Sequence, residues 1–278
     1  MATAFGKAIR VLFVSLIYVF IYQLMQVLTE VAAGLGGVYR VLPAAKHRIL
    51  SVFSDTVMSK LYICLILSML LALAAYWAIG LLRERKIRSE LSFRRPNEMT
   101  AAAAIVLGLG CRLLVSVYTN IAEDIPVLKN SAEQRMEMLE SLMTPVNILL
   151  ALVWMILLAP VFEEILFRGL VQTELMRGFP PAAAIVIGAL IFGGAHGLLY
   201  QSAFTFFVGL ALGWCYYITK NLFLTMVIHV VFNATAAVSG LLMTAGPLLI
   251  VPAALIGVAL TVISCVMIYQ GRQIKAQQ

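Results

Sequence analysis

Eight long apolar stretches constrain the fold of this chain more than any other feature of its sequence. Most of them approach the length of about 20 residues that a helix needs to cross a bilayer. The sequence is also 62% hydrophobic and only 12% charged, which is not the composition of a soluble domain with one core. We therefore predict an all-α, polytopic membrane protein with about eight transmembrane helices, at residues 8–33, 61–82, 99–119, 146–176, 182–199, 202–219, 222–240 and 247–269.

These stretches predict a single membrane domain over residues 1–278. Residues 1–120 form the N-terminal spans, residues 140–240 carry most of the polar groups inside apolar sequence, and residues 247–278 form the last span and a basic tail. The first stretch is too long, and lacks the small-residue cleavage site, for a removable signal peptide. We expect it to be retained as a span.

The placement of lysine and arginine predicts the orientation. With eight spans and an inner N-terminus, thirteen of these residues fall on the inner side and six on the outer side. An excess of positive charge marks the cytoplasmic side, so both termini are expected there, in the plasma membrane of a prokaryote. The net charge of +7 is then explained by topology and by anionic lipid near residues 83–95, and we expect no nucleic-acid partner.

The stretch from Pro160 to Gly169 places two acids and an arginine inside an apolar run. Each ionised side chain there costs about 2.5 to 3.5 kcal/mol on insertion scales. Glu164 and Arg168 are four residues apart, which favours an ion pair on one helix face, whereas Glu163 points about 100° away. Pro160 cannot donate a main-chain hydrogen bond and should disturb the helix. A pair that merely holds two helices together is the alternative explanation for Glu164 and Arg168.

A second polar group follows after a predicted helical hairpin. Arg177 to Pro181 has the Gly and Pro pattern of one helix ending and another beginning. Glu163 lies seventeen residues before Pro180 and His196 lies sixteen after it, so both should lie at the same depth in an antiparallel pair. Three glycines surround His196, which is typical of close backbone approach or of a broken helix.

Other polar residues and glycines in the apolar stretches indicate a particular function less clearly. His229 and Asn233 are four residues apart and share a helix face. A lone Arg112 should pair with a carboxylate or a carbonyl, and Gly108 and Gly110 should allow another helix to approach. The four cysteines are expected to be small core residues, at Cys64, Cys111, Cys215 and Cys265.

Residues 120–144 are polar and form the only sizeable segment that we expect outside the membrane. Ser131 and Gln134 predict a capping box that opens a short helix. Met136, Leu139 and Met143 could then lie on the membrane surface. The segment is a connector or a lid.

The polar residues form three motifs in order along the chain: Glu163-Glu164 with Arg168, Phe192 with His196, and His229 with Asn233. These motifs resemble those of the CAAX prenyl protease and bacteriocin-processing family (CPBP, also called Abi). That family includes the type II CAAX prenyl endopeptidases. The resemblance covers residues 140 to 240. It implies an eight-helix fold with a polar cavity, in which Glu163 activates the attacking water with help from His196. It also implies that His229 and Asn233 stabilise the oxyanion, while Glu164 and Arg168 support the site.

The resemblance therefore predicts an intramembrane endopeptidase acting on a membrane-associated or lipidated peptide or protein. Whether it uses a metal stays open at this point. Glu163, His196 and His229 are candidate ligands for a divalent ion such as zinc, and a metal-free glutamate mechanism is equally open. A non-catalytic scaffold or bacteriocin-immunity protein is the main alternative, and an ion-coupled transporter is disfavoured because no internal repeat is evident.

Overall fold

The computed structural model describes residues 4–41, 49–84, 91–122, 124–142, 148–236 and 247–277. These residues are almost entirely helical and contain no strand, so the predicted all-α class is confirmed for them. The nine helices among them are α1 (Ala4–Val41), α2 (Ile49–Leu82), α3 (Glu98–Ala122), α4 (Pro126–Leu142), α5 (Ile148–Leu175), α6 (Pro181–Gly194), α7 (Leu199–Thr219), α8 (Leu222–Ala234) and α9 (Ile250–Gln277). A single 3₁₀ turn, Pro247–Leu249, precedes α9.

Six of these helices are long and apolar enough to cross a membrane, namely α1, α2, α3, α5, α7 and α9. Helices α6 and α8 are apolar but shorter, with 14 and 13 residues. The chain is thus a multi-pass membrane protein, and its eight apolar helices coincide with the eight predicted stretches.

Some predicted boundaries were wrong. Helix α2 begins at Ile49, well before residue 61. Helix α6 ends at Gly194 instead of residue 199, because Gly197 adopts a φ of 75°, which a helix cannot contain. The end of the seventh predicted span, residues 237–240, lies outside the described residues.

The helices pack around two large apolar clusters, and a smaller third one joins α5, α7 and α8. One joins α1, α2, α5 and α6 and includes Tyr76, Phe162 and Leu166. The other joins α3, α7, α8 and α9 and includes Leu107 and Ile228. Helices α5 and α8 meet between the two clusters, and the polar residues predicted for the site lie on these two helices and at the end of α6. All four cysteines are free and at least partly buried, as predicted.

Two glycines on α3 allow two different helices to approach it, as the sequence predicted. A Cβ atom at Gly108 would lie 2.7 Å from the carbonyl oxygen of Ile228 on α8. A Cβ atom at Gly110 would lie 2.7 Å from Oγ1 of Thr261 on α9. Close backbone packing at these positions therefore holds α3 against both neighbours.

The polar segment forms a longer helix than the capping box predicted. Helix α4 begins at Pro126, since proline suits the first helical position. Ser131 therefore lies inside the helix, and its Oγ accepts a hydrogen bond from the main-chain N–H of Tyr200 at 3.1 Å. This contact ties α4 to the start of α7. Of the three residues predicted for the membrane surface, Met136 is 53% exposed, Leu139 is partly buried, and Met143 lies outside the described residues.

We predict that Gly108→Ala lowers the thermal stability of the purified protein, because the new methyl group would push the main chain of α8 away from α3. Gly36→Ala on α1 is the matched control, since nothing lies within 4 Å of a Cβ atom there. The control should keep or raise the midpoint, because alanine favours a helix over glycine by about 1 kcal/mol. Equal midpoints for both variants would contradict the packing role of Gly108.

Candidate active site

Helix α5 is irregular on both sides of Pro160. Residues Trp154–Leu158 and Glu164–Gln172 are π-helical, with a short α-helical segment between them. The N–H of Ala159 donates to the carbonyl of Trp154, five residues back. The next donor in that register would be Pro160, which has no N–H. The carbonyl of Met155 therefore receives no bond from the helix in this register.

Asn233 supplies the missing donor. Its Nδ2 atom donates to the carbonyl oxygen of Met155 at 2.7 Å, which links α8 to α5. Because the partner is an acceptor, the amide must present its nitrogen to it, and this bond uses one of its two N–H groups. The sequence predicted that Pro160 disturbs the helix but missed the partner of the freed carbonyl.

Glu164 and Arg168 form the ion pair that their spacing predicted. Arg168 Nε lies 3.4 Å from Glu164 Oε2, and the two side chains are 2% and 0% exposed. The guanidinium carbon of Arg168 also lies 4.5 Å from the ring centroid of Phe192 on α6. Such a cation–π contact stabilises a charge that has left water. The pair therefore fixes α5 against α6 in the interior of the bundle.

His229 lies between the two acids. Its Nδ1 atom is 2.9 Å from Glu164 Oε1, and its Nε2 atom is 3.8 Å from Glu163 Oε2. A carboxylate accepts hydrogen bonds, so Nδ1 carries the hydrogen, which it donates to Glu164, and Nε2 faces Glu163. Glu164 thus orients the imidazole, while Glu163, which is 22% exposed, keeps its carboxylate accessible. The spacing of the motifs did not reveal this arrangement.

His196 follows the end of α6 and is partly buried. Its Nδ1 atom lies 2.8 Å from the carbonyl oxygen of Phe192, so Nδ1 donates and Nε2 is left as an acceptor. The Phe192 ring contacts both imidazoles edge to face, with centroids 5.0 Å from His196 and 5.9 Å from His229. Phe192 is therefore the residue around which the two histidines are arranged.

Helices α5 and α6 pack side by side at two levels of the predicted hairpin. Gly188 packs against Gln172 on α5, and each lies eight residues from Pro180. Phe167 and Phe192, nearly equidistant from Pro180, have ring centroids 5.0 Å apart. Among the contacts of the described residues, His196 makes no ion pair or hydrogen bond with Glu163. Glu163 lies close to His229, and His196 lies close to Phe192.

The sequence predicted a carboxylate or a carbonyl as the partner of Arg112. Arg112 does not pair with a carboxylate in the described part of the chain; its guanidinium carbon lies 5.0 Å from the ring centroid of Phe232 on α8.

Whether the candidate ligands can form a metal site depends on which of their donor atoms are free. His229 uses Nδ1 for Glu164 and His196 uses Nδ1 for Phe192, which leaves the two Nε2 atoms and the Glu163 carboxylate as donors. Within the described residues, no three His, Cys, Asp or Glu side chains lie close enough together to hold one ion. The predicted ligand set of Glu163, His196 and His229 therefore does not fit a metal ion in this arrangement.

We predict that Glu164→Leu destabilises the protein by about 3 to 5 kcal/mol, because it leaves the Arg168 charge buried without a partner. The double variant Glu164→Leu with Arg168→Met should recover most of that loss, as measured by chemical or thermal unfolding. Glu163→Leu is the matched control and should cost less, since Glu163 is partly exposed. A double variant as unstable as the single one would show that the pair is not the cause.

We also predict that Asn233→Leu costs about 1 to 3 kcal/mol, since it leaves the Met155 carbonyl buried without a donor. In a Pro160→Ala background, residue 160 regains an N–H that can reach this carbonyl, so the same change should cost less. A double-mutant cycle of unfolding free energies measures the difference. Equal costs in both backgrounds would contradict the link between Pro160 and Asn233.

The chain was compared with known protein families, curated proteins and solved structures. No curated protein and no solved structure matches it. Residues 145–235, about a third of the chain, match the family model described as type II CAAX prenyl endopeptidase Rce1-like. All six residues predicted for the site lie inside this match, namely Glu163, Glu164, Arg168, His196, His229 and Asn233. The predicted resemblance is confirmed: between residues 145 and 235, this chain matches a family of type II CAAX prenyl endopeptidases.

Proposed function

We propose that this chain is an intramembrane endopeptidase that hydrolyses a peptide bond of a membrane-associated or lipidated peptide or protein. The observation that carries this proposal is the arrangement of Glu163, His229 and Glu164, in which an accessible acid faces an imidazole that a buried acid orients. Pairs of groups with such different surroundings are suited to acid and base roles. The match to an endopeptidase family supports the same reaction.

In the first step, Glu163 accepts a proton from a water molecule, whose oxygen attacks the carbonyl carbon of the peptide bond. Glu163 is suited to this because its carboxylate is 22% exposed, whereas that of Glu164 is fully buried and already bonded. His196 can hold the same water through Nε2, since its Nδ1 donates to Phe192. Attack forms a tetrahedral intermediate with a negatively charged oxygen.

Donors to that oxygen come from α8. A protonated His229 presents Nε2–H, and Asn233 has one N–H beyond the one bonded to Met155. Donors that are already oriented stabilise an oxyanion without reorganisation. Glu163 then returns its proton to the leaving amine as the C–N bond breaks, so the products are a free amine and a carboxylic acid, which loses its remaining proton to water.

A mechanism in which a divalent metal ion activates the water is a separate proposal. It would need Glu163, His196 and His229 to move closer together than they are here. The mechanism above uses only side chains of this chain, and a chelator distinguishes the two.

We also propose that both termini lie on the cytoplasmic side of the plasma membrane of a prokaryote. Thirteen lysine and arginine residues would then lie inside and six outside, as the positive-inside rule requires. A reporter enzyme fused to the C-terminus, active on only one side of the membrane, would test this orientation.

We predict that Glu163→Gln lowers kcat for cleavage of a membrane-tethered peptide by about 10² to 10⁴-fold, the usual contribution of a general base. The amide keeps the size of the side chain but cannot accept the proton. Glu133→Gln on the exposed surface of α4 is the matched control and should leave kcat unchanged. Cleavage sites in a peptide library are identified by mass spectrometry.

The same assay with a chelator decides the role of metal. Unchanged activity supports the metal-free mechanism, and loss restored by zinc supports a metalloprotease. Cleavage that survives in Glu163→Gln contradicts the assigned base. If the wild type cuts no peptide and Glu163→Gln preserves the cellular phenotype, a scaffold is the better account.

A further inference from the structure

His196 lies in a short linker between two helices. The linker, residues 195–198, follows the last residue of α6, Gly194, and precedes the first residue of α7, Leu199. Gly194 and Gly197 flank His196, and a Cβ atom at either glycine would meet no atom within 4 Å. Glycine also has more backbone freedom than any other residue. The position of His196 therefore depends on how firmly the two ends of the linker are held.

The end of the linker at α6 is held by His196 itself. Its Nδ1 atom donates to the carbonyl oxygen of Phe192 at 2.8 Å, and the two rings are 5.0 Å apart. Its main-chain N–H donates to the carbonyl of Gly193 at 3.1 Å. These contacts all reach back to α6, so they do not fix the end of the linker at α7.

The end of the linker at α7 begins a helix that cannot cap itself. Leu198 is the N-cap residue, and its carbonyl accepts the bond from the N–H of Ser202 at 2.8 Å. The N–H of Leu198 donates to the carbonyl of His196 at 2.9 Å. The first N–H groups of a helix have no acceptor within the helix, and an N-cap Ser, Thr, Asp or Asn usually provides one. A leucine side chain cannot do so, and Leu198 makes no such bond.

Ser131 on α4 provides the cap from another helix. Its Oγ atom accepts a hydrogen bond from the N–H of Tyr200, the second residue of α7, at 3.1 Å. Helix α8 shows the ordinary arrangement, in which the N-cap Asn221 accepts from the N–H of its own second residue, Phe223, at 3.1 Å. The same N–H is thus bonded in both helices. In α7 the acceptor is 69 positions away in the sequence.

Helix α4 is itself anchored to α7 at this point. Arg135, one turn after Ser131, donates from Nε to the side-chain oxygen of Gln201 at 3.2 Å. Its guanidinium carbon lies 5.8 Å from the ring centroid of Phe204. Ala132 belongs with Phe204 to the apolar cluster of α3, α7, α8 and α9. These contacts hold Ser131 against the first turn of α7, which favours a fixed element over a lid that opens.

We propose that Ser131 is a positioning residue for His196, which rests on the proposed endopeptidase function and deepens it. Ser131 caps the first turn of α7, and the capped turn fixes Leu198, which bonds to the carbonyl of His196. The Nε2 atom of His196 is thereby held where it meets the water that Glu163 activates. Ser131 lies outside residues 145–235, so this role is carried by a part of the chain that the family model does not match.

The test uses full-length proteins that differ in how α7 is capped. Ser131→Ala removes the acceptor on α4. Adding Leu198→Ser gives α7 a capping oxygen at its own N-cap position, independently of α4. Ser264→Ala on α9 is the matched control, because Ser264 is also buried and its hydroxyl donates to the carbonyl of Thr261 in its own helix at 2.9 Å.

The first measurement does not depend on cleavage. The chain has three histidines, so a protein with ¹⁵N-labelled imidazoles gives few NMR signals, and a His196→Gln variant identifies those of His196. We expect the Nδ1–H tautomer in the wild type. In Ser131→Ala the signals should shift or broaden as the second tautomer becomes populated. Adding Leu198→Ser should restore them, and Ser264→Ala should leave them unchanged. The signals of His229 should stay in place throughout.

The second measurement is cleavage of a membrane-tethered peptide. Ser131→Ala should lower kcat about 10- to 100-fold with KM unchanged, since a displacement of about 1 Å in a catalytic group costs this much. In a His196→Gln background the same change should cause no further loss, because no imidazole is left to position. A merely structural role of Ser131 would lower kcat equally in both backgrounds.

Unchanged His196 signals in Ser131→Ala would overturn the proposal, as would signals that Leu198→Ser does not restore. An equal loss of kcat with and without His196 would also overturn it. If the signals of His229 move together with those of His196, Ser131 supports the fold in general and not this linker. Signals that respond as expected in a protein that cuts no peptide would keep the positioning by Ser131 and contradict the endopeptidase function, so the two failures are distinguishable.

Discussion

The buried ion pair between Glu164 and Arg168 is the interaction on which the rest of the site depends. Both side chains are almost completely excluded from solvent, so neither charge can exist there without the other. The second oxygen of Glu164 binds Nδ1 of His229, and Arg168 lies against the ring of Phe192. One pair of opposite charges thus positions groups on α5, α6 and α8.

The membrane imposes a second constraint, because every main-chain polar group in its interior needs a partner. Helix α5 departs from α-helical geometry on both sides of Pro160, and Asn233 from α8 satisfies the carbonyl of Met155. The π-helical turns lie next to Glu163 and contain Glu164, so the irregular part of the helix and the acids coincide. π-Helical turns occur frequently at functional sites.

Much of the site was predictable because its signals are local. An acid and a base four residues apart on a helix pair with each other, and equal distance from Pro180 gives equal depth in a hairpin. The sequence did not predict which neighbours His229, Asn233 and Arg112 would find. Those partners depend on how α3, α5 and α8 cross, and a residue's position along one helix carries no information about that crossing. The capping box failed for a local reason, since the helix already begins at Pro126 and leaves Ser131 inside it.

The sequence by itself determined that the chain is all-helical and enters a membrane, since apolar length decides both. It also determined that Glu164 pairs with Arg168, because both lie on one helix. Only the tertiary structure decided that Glu164 is the acid that orients His229, that Glu163 remains accessible, and that Arg112 stacks on Phe232. These relations join helices that are distant in sequence, and packing alone brings their side chains within contact.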